Sequence, residues 1–308
     1  MDNLMRQRAR KQRRMKIAGH TMGTPEYTVA EAIDLFARLG MEGIEAIVHD
    51  EYRSAIGIDI SATGLREQRE HAESHGLQFA AITPYATDLN SDNPQVTATQ
   101  REVLLRAIDI AHALGARCVR TYAGRETGGP GRADRFRRLV EAVRGPAEAA
   151  AQAGVRLGFE NHFNTLADSA KATLEAIRAV NHPAMGIVYD QANLTMLGAE
   201  EYQEAIRLQA PYLIHVHVKD LRFKDSLPTT ISGAVEALPP DAKPTVSLPV
   251  GEGVLPWGDI LAELKAFGYD GWLSIEYERR WYPELLPPAE IGMKAGADRL
   301  RRLLQALG

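Results

Sequence analysis

The chain has 308 residues, of which 45% are hydrophobic and 25% are charged, as in an ordinary globular protein. Its net charge of −4 and pI near 6.2 exclude a general electrostatic attraction to nucleic acid. The one cysteine, Cys118, excludes an intramolecular disulfide and a zinc site built from several thiolates, so we expect a cytoplasmic protein. No segment approaches the roughly 20 apolar residues of a membrane span.

The first residues, MDNLMRQRARKQRRM, are rich in arginine and are followed by no apolar run, so they do not read as a secretory signal. We predict that residues 1–15 form a basic, disordered extension and that residues 16–308 form the catalytic domain. Two other interpretations stay open. The segment could be an arm for nucleic acid or an anionic surface, or translation could begin at Met15.

Eight short apolar runs alternate with stretches whose apolar residues recur at i, i+3 and i+4, which is the spacing of a helix face. Three helical stretches end in glycine, at Gly40, Gly115 and Gly154, as expected just past a helix C-terminus. The predicted strands are 16–20, 43–48, 77–83, 116–122, 155–160, 185–190, 213–219 and 272–276. This alternation predicts an α/β fold, a single (β/α)8 TIM barrel without a second domain.

Polar residues recur where the apolar runs stop. In chain order these strand ends supply His20, His49, Thr83, Tyr122, Glu160, Asp190, His217 and Glu276. Because the chemistry of such barrels lies at the carboxyl ends of the strands, we expect these side chains at the catalytic face.

Two loops on this face depart from the regular rhythm. Residues 123–132 form a glycine-rich loop after the fourth strand, but the loop lacks the Lys-Ser/Thr ending of a phosphate-binding P-loop. Residues 222–250 form a long insertion between the seventh strand and the seventh barrel helix. A lid and an oligomer contact are equally compatible with the insertion.

Four of the strand-end residues predict a metal site. Glu160, Asp190, His217 and Glu276 end strands five to eight, which are neighbours around the barrel. Three carboxylates at one mouth repel each other unless a cation lies between them. Three oxygen donors, one imidazole and no thiolate favour one divalent ion, Mn²⁺ first, with Mg²⁺ or Co²⁺ as alternatives. Taken singly, a residue such as one glutamate is better explained as a solvated strand end or half of an ion pair.

Five motifs carry a resemblance to a known family: FENHFNT (159–165), VYDQAN (188–193), HVHVKD (215–220), VGEGVLPW (250–257) and LSIEYE (273–278). From Met15 onward the chain resembles the xylose-isomerase-like TIM-barrel superfamily, often called sugar phosphate isomerase/epimerase. The resemblance implies that Glu160, Asp190, His217 and Glu276 bind one Mn²⁺-like ion. We assign no chemistry to the glycines or the tryptophan of VGEGVLPW.

The superfamily includes ketose 3-epimerases, hydroxypyruvate isomerases, inosose and dehydroshikimate dehydratases, and C-glycoside deglycosidases. The chain departs from the tagatose 3-epimerase pattern, since Leu166 replaces a second glutamate and Asn193 replaces a histidine. The Glu160-Asn161-His162 run is more similar to the inosose dehydratase and deglycosidase branches.

The expected reaction removes a proton next to a carbonyl and passes through a metal-stabilised enediolate. Candidate bases are Glu160, Glu276 and His162. Reprotonation of the enediolate would make the protein an epimerase or isomerase, and loss of a β-substituent from a 3-oxo-sugar or inosose would make it a lyase. His162 suits elimination because an imidazole titrates near neutrality, although a packing role is the plainer alternative.

Five further residues are predicted to contact a carbohydrate or polyol substrate. Asn161 and Asn193 would bind hydroxyls, and Lys219 would hold substrate oxygens unless it pairs with Asp220 or Glu252. Tyr85 and Tyr122 would stack on the sugar or simply pack at the rim.

Two other functions use the same fold. Abasic-site DNA endonucleases share the barrel, but they bind three zinc ions through many histidines, one of them where Asn193 stands here. A non-catalytic metal-binding subunit is the other alternative. We expect no nucleic acid or membrane partner, and the sequence leaves a homo-oligomer or a partner subunit open.

Overall fold

The computed structural model describes residues 14–126, 128–198, 201–224 and 244–308. Eight strands occur where the sequence predicts them, with ends that differ by at most two residues. Their bounds are β1 (Lys16–His20), β2 (Gly43–Val48), β3 (Gln78–Pro84), β4 (Cys118–Thr121), β5 (Arg156–Glu160), β6 (Met185–Asp190), β7 (Leu213–Val218) and β8 (Trp272–Ile275).

The eight strands form one closed parallel barrel. Each strand pairs with its neighbour along the chain, and β1 pairs with both β2 and β8, which closes the sheet. In the closing register Ala18 lies opposite Gly43 on one side and Ser274 on the other. The predicted (β/α)8 TIM barrel is therefore confirmed.

Helices cover the outside of the barrel. They are α1 (Val29–Arg38), α2 (Ala62–Ser74), α3 (Pro94–Leu114), α4 (Arg132–Ala153), α5 (Ala170–Val180), α6 (Gln191–Met196), α7 (Tyr202–Gln209), α8 (Trp257–Ala266) and α9 (Ala289–Ala306). Thr28 and Glu31 begin α1 with a reciprocal capping box. Gly40, Gly115 and Gly154 follow their helices with positive φ, as the sequence predicts. In the parts of the chain that the structure describes, no helix is long and apolar enough to cross a membrane.

The barrel interior changes character along its axis. Near the amino ends of the strands it is filled by a small apolar cluster of Ala81, Cys118, Val188 and Ile214. Near the carboxyl ends the inward side chains are polar and still buried, among them Glu45, Thr83, Arg120, Glu160, Asp190, His215, His217, Ser274 and Glu276. Buried polar groups are stable only with partners, so their contacts define the chemistry of this end.

The two ends of the predicted insertion at 222–250 pair with each other. Asp220–Phe223 and Thr245–Leu248 pair as an antiparallel ribbon, so the predicted insertion begins and ends in strands. Its middle, residues 225–243, lies outside the described residues, as does the predicted basic extension up to residue 13. Met15 is buried in the core, one residue before the predicted start of the domain at residue 16.

The carboxylate of Asp220 anchors the glycine-rich segment that follows the ribbon. It accepts hydrogen bonds from the backbone N–H groups of Gly251 at 2.9 Å and Leu255 at 3.2 Å. Gly253 lies so close that an added methyl group would overlap the Asp220 carboxylate and the Leu221 carbonyl. The glycines of VGEGVLPW are therefore needed for close packing.

We expect Gly253→Ala to lower the free energy of unfolding by about 1–3 kcal/mol, because backbone and a hydrogen-bonded carboxylate would have to move. Thermal or urea unfolding measures the change. Gly258→Ala in α8 is the matched control, since its new methyl would meet nothing nearer than 3.6 Å. Equal stability of the two variants would show that Gly253 is not held tightly by Asp220.

Candidate functional site

A cavity of about 420 Å³ opens at the carboxyl end of the barrel. Its lining includes Arg120 on β4, Asn193 in α6, Lys219 just after β7 and Glu276 just after β8. Aromatic and other side chains form the walls, among them His49, Tyr52, Tyr85, Tyr122, His162, Phe163, Trp281 and Tyr282. The cavity is therefore charged at its base and largely aromatic around it.

Glu160, Asp190, His217 and Glu276 meet at this base. One potential ligand atom from each lies within 4.8 Å of the others, and all four side chains are buried. The His217 Nδ1 atom is the common point, at 3.0 Å from Glu160 Oε1, 3.1 Å from Glu276 Oε2 and 3.9 Å from Asp190 Oδ2. Four residues that are distant in sequence thus share one small volume.

Glu45 in the middle of β2 binds the other side of His217. Its Oε1 lies 3.1 Å from His217 Nε2, and its Oε2 lies 2.8 Å from His215 Nε2. Thr83 donates a 2.5 Å hydrogen bond to the same carboxylate. The sequence reasoning missed Glu45, although an acid inside the apolar run GIEAIV is itself a signal of a buried polar partner.

The contacts of His217 test whether a cation fits. A carboxylate cannot donate, so the Nε2 atom facing Glu45 carries the hydrogen. A neutral ring would then direct the Nδ1 lone pair at the Glu160 and Glu276 oxygens, and acceptors at 3.0 and 3.1 Å repel. A proton or a metal ion must lie between them. The donor set of one imidazole and three carboxylates fits a divalent cation.

Lys219 supplies the other positive charge at the base. Its Nζ lies 2.9 Å from both Asp190 Oδ2 and Glu276 Oε2, and 3.8 Å from Glu278. The alternative pairing with Asp220 does not occur, because the Asp220 carboxylate accepts backbone N–H groups of the segment after the ribbon. Burial raises the pKa of Asp190 to about 7, with Lys219 opposing that rise.

Arg120 on β4 holds Glu160 from the opposite side. Its Nε donates a 2.6 Å hydrogen bond to Glu160 Oε2, and its guanidinium lies 3.6 Å from the centre of the Tyr122 ring. Burial favours the neutral acid, but Arg120 and His217 together outweigh it and lower the pKa of Glu160. The sequence reasoning also missed Arg120, whose signal is a cation inside the apolar run ARCVRTY.

The two asparagines have different positions. Asn193 lines the cavity and donates a 2.8 Å hydrogen bond to the Asn161 carbonyl. The Asn161 amide faces away: it donates to Thr173 Oγ1 at 2.8 Å and accepts from the Asp190 N–H at 3.3 Å. Asn161 therefore braces the turn after β5, which differs from the predicted substrate contact.

His162 lines the cavity as a neutral imidazole. Its Nδ1 donates to the Phe163 carbonyl at 2.7 Å, which leaves Nε2 without a hydrogen. Burial lowers the pKa of His162 to about 4. The ring packs edge to face against Tyr122, and Tyr85 follows further along the same wall. The Tyr85 hydroxyl is buried and has no hydrogen-bond partner among the described residues.

Comparison with known proteins places the chain in a family. The family model described as xylose isomerase-like TIM barrel matches residues 33–303, which is most of the chain. The chain belongs to the xylose isomerase-like TIM-barrel family. The resemblance seen in the motifs is thereby confirmed.

Curated relatives are similar over part of their length. The chain is 28% identical over 162 residues to the rhizopine catabolism protein MocC of Rhizobium meliloti, covering 53% of this chain and 48% of that protein. It is 27% identical over 159 residues to a 3-dehydroshikimate dehydratase of Bacillus anthracis, covering 52% and 55%. It is 22% identical over 157 residues to an inosose dehydratase of Geobacillus thermodenitrificans, covering 51% of each. The chain spans about half the length of the curated relatives it matches.

Solved structures share the whole fold. The IOLI protein with a bound zinc atom has a TM-score of 0.74 at 15% identity, over 96% of this chain and 99% of that one. A xylose isomerase-like protein from Mycobacterium smegmatis in complex with magnesium has a TM-score of 0.71 at 18% identity, over 95% and 96%. At these identities the likeness shows the fold alone.

We expect Glu45→Gln to weaken Mn²⁺ binding by roughly 10–100-fold, because a carboxylate behind a histidine ligand orients the ring and raises its basicity. Calorimetric titration of the metal-stripped protein measures the dissociation constant. Glu42→Gln, three residues earlier and paired with Arg14 at the protein surface, is the control. Unchanged Mn²⁺ affinity in a folded Glu45→Gln protein would contradict this role.

Proposed function

We propose that the protein is a divalent-metal-dependent enzyme that removes a proton next to the carbonyl of a sugar or polyol and then eliminates a β-substituent. An inosose or a 3-oxo-sugar is the proposed substrate class. The observation that carries the proposal is the convergence of three carboxylates on the Nδ1 atom of His217 at the base of the cavity. Dehydratases among the relatives support the reaction class.

In this proposal Glu160, Asp190, His217 and Glu276 hold the cation, with Mn²⁺ preferred and Mg²⁺ or Co²⁺ as alternatives. When bound, a divalent cation supplies Lewis-acid polarisation of a carbonyl oxygen. Glu45 fixes the His217 ring from behind, and Arg120 keeps Glu160 ionised at the same time. Both contacts keep the donor atoms in place without a metal, so binding does not have to reorganise them.

The proton transfers are assigned to groups with suitable protonation states. His162 is neutral and has a free Nε2, so it can accept the proton from the carbon next to the carbonyl. Glu160, which is ionised and lies two residues earlier at the end of β5, is the second candidate base. Lys219 and Asn193 line the cavity and can donate hydrogen bonds to substrate oxygens.

Two residues that differ from the epimerase pattern favour elimination over epimerisation. Leu166 stands where a second glutamate is expected, and it is fully buried in the apolar core. Asn193 stands where a histidine is expected, and its amide is bonded to the Asn161 carbonyl. Neither position therefore supplies the acid or base that the epimerase pattern has there.

We expect Glu276→Gln to lose bound Mn²⁺ and turnover together, because it removes a charged donor from the shared centre. Metal content and activity are measured after dialysis against chelator and return of Mn²⁺. Glu278→Gln is the matched control, since it lines the same cavity but lies 3.8 Å from Lys219 and outside the cluster of four. Activity that survives chelation in the unsubstituted protein would contradict metal dependence.

The reaction class is tested by offering the Mn²⁺-loaded protein inososes, 3-oxo-glycosides, 3-dehydroshikimate and free ketoses in deuterated water. We expect His162→Ala to slow both deuterium exchange and elimination by roughly 10²–10⁴-fold while Mn²⁺ stays bound. Phe163→Leu, which retains the carbonyl partner of His162, is the control. Unchanged exchange in His162→Ala would assign the base to Glu160, and epimer formation alone would contradict elimination.

A further inference from the structure

A second cluster of metal-binding side chains lies outside the barrel, on the helix layer. Asp34 belongs to α1, His71 to the last turn of α2, and His75 caps the same helix. The two histidines are four residues apart, so they lie on one face of α2, turned toward α1. One potential ligand atom from each of the three residues lies within 4.8 Å of the others.

Both imidazoles are directed at one carboxylate oxygen. Asp34 Oδ1 lies 2.8 Å from His71 Nε2 and 3.4 Å from His75 Nε2. The side chains are between a third and two fifths exposed, at 34% for His71, 37% for His75 and 40% for Asp34. The cluster is therefore held by the protein but open to solvent on one side.

The hydrogen bonds of His75 orient its Nε2 atom toward Asp34. The Nδ1 atom lies 3.0 Å from the His71 carbonyl and 3.1 Å from Ser74 Oγ. Ser74 already donates its hydrogen to the His71 carbonyl at 2.7 Å, so both neighbours of Nδ1 are acceptors. Nδ1 therefore carries a hydrogen, and Nε2 is the ring atom that faces the Asp34 carboxylate. His71 presents its own Nε2 to the same oxygen, so both imidazoles aim a potential ligand atom at one point.

We propose that Asp34, His71 and His75 form a second metal site, one that binds Zn²⁺ or a similar borderline cation. Two imidazoles and one carboxylate with an open side match the three protein ligands and one water of four-coordinate zinc. The donor set differs from that of the cavity, where three carboxylates favour Mn²⁺. We therefore expect the two sites to prefer different metals.

The location gives the site a role in stability. The C-terminal end of α2 leads into β3, so the cluster lies toward the amino end of the barrel, away from the cavity. A cation bound there would link α1 to α2, two neighbouring helices of the outer layer. Because it binds the folded chain and not the separated helices, it would raise the unfolding temperature.

The test compares four full-length proteins, all with the cavity residues intact: the unsubstituted chain, His71→Ala, His75→Ala and His182→Ala. His182 is the matched control because it faces a single carboxylate, Glu148, without a second imidazole. Each protein is stripped with chelator and then titrated with Zn²⁺, and bound equivalents and unfolding temperature are measured.

We expect the unsubstituted protein and His182→Ala to bind one more equivalent of Zn²⁺ than either cluster variant, with a larger rise in unfolding temperature. Equal stoichiometry in all four proteins would overturn the proposal. The result is independent of the proposed activity, because the cavity is the same in every protein. Co²⁺ provides a second readout: tetrahedral absorption that His71→Ala and His75→Ala lack.

Discussion

The arrangement of this site depends on one electrostatic constraint, the concentration of acids in a volume from which water is excluded. Glu45, Glu160, Asp190 and Glu276 are all buried at the carboxyl end of the barrel. Unpaired carboxylates in such a place would be destabilising by several kcal/mol each. Arg120, Lys219 and His217 supply the compensating charge, and each is itself buried and bonded to at least one of the acids.

These pairings also separate the roles of chemically similar groups. Arg120 lowers the pKa of Glu160 against the effect of burial, whereas burial dominates at Asp190 and raises its pKa to about 7. His217 lies among acids and its pKa is raised despite burial, while burial lowers the pKa of His162 to about 4. One ring therefore lies among charged groups at the centre of the cluster, and the other is a neutral acceptor at the wall.

Much of the fold could be predicted from the sequence because the barrel repeats one simple pattern. Apolar runs predicted all eight strands, and polar residues at the ends of those runs predicted which side chains converge. Glu45 and Arg120 were missed because they lie within apolar runs, where the pattern assigns core packing. Asn161 was assigned to substrate because sequence shows that it is next to Glu160 but not that its amide turns toward Thr173. Contacts between distant strands, such as Glu45 with His215, follow from closure and register, which no local pattern contains.

The change of character along the barrel axis has a consequence for how the sequence can vary. At the amino end, Gly158 and Gly186 leave room only for Ile214 and its neighbours, so a larger side chain there would be felt through volume alone. At the carboxyl end, the same strands carry buried groups whose charges must also be paired. In a single strand such as β5, packing therefore limits the residues toward the amino end, and charge pairing limits those at the carboxyl end. New specificities can arise by substitution at the carboxyl-end positions, while the amino-end positions preserve the scaffold.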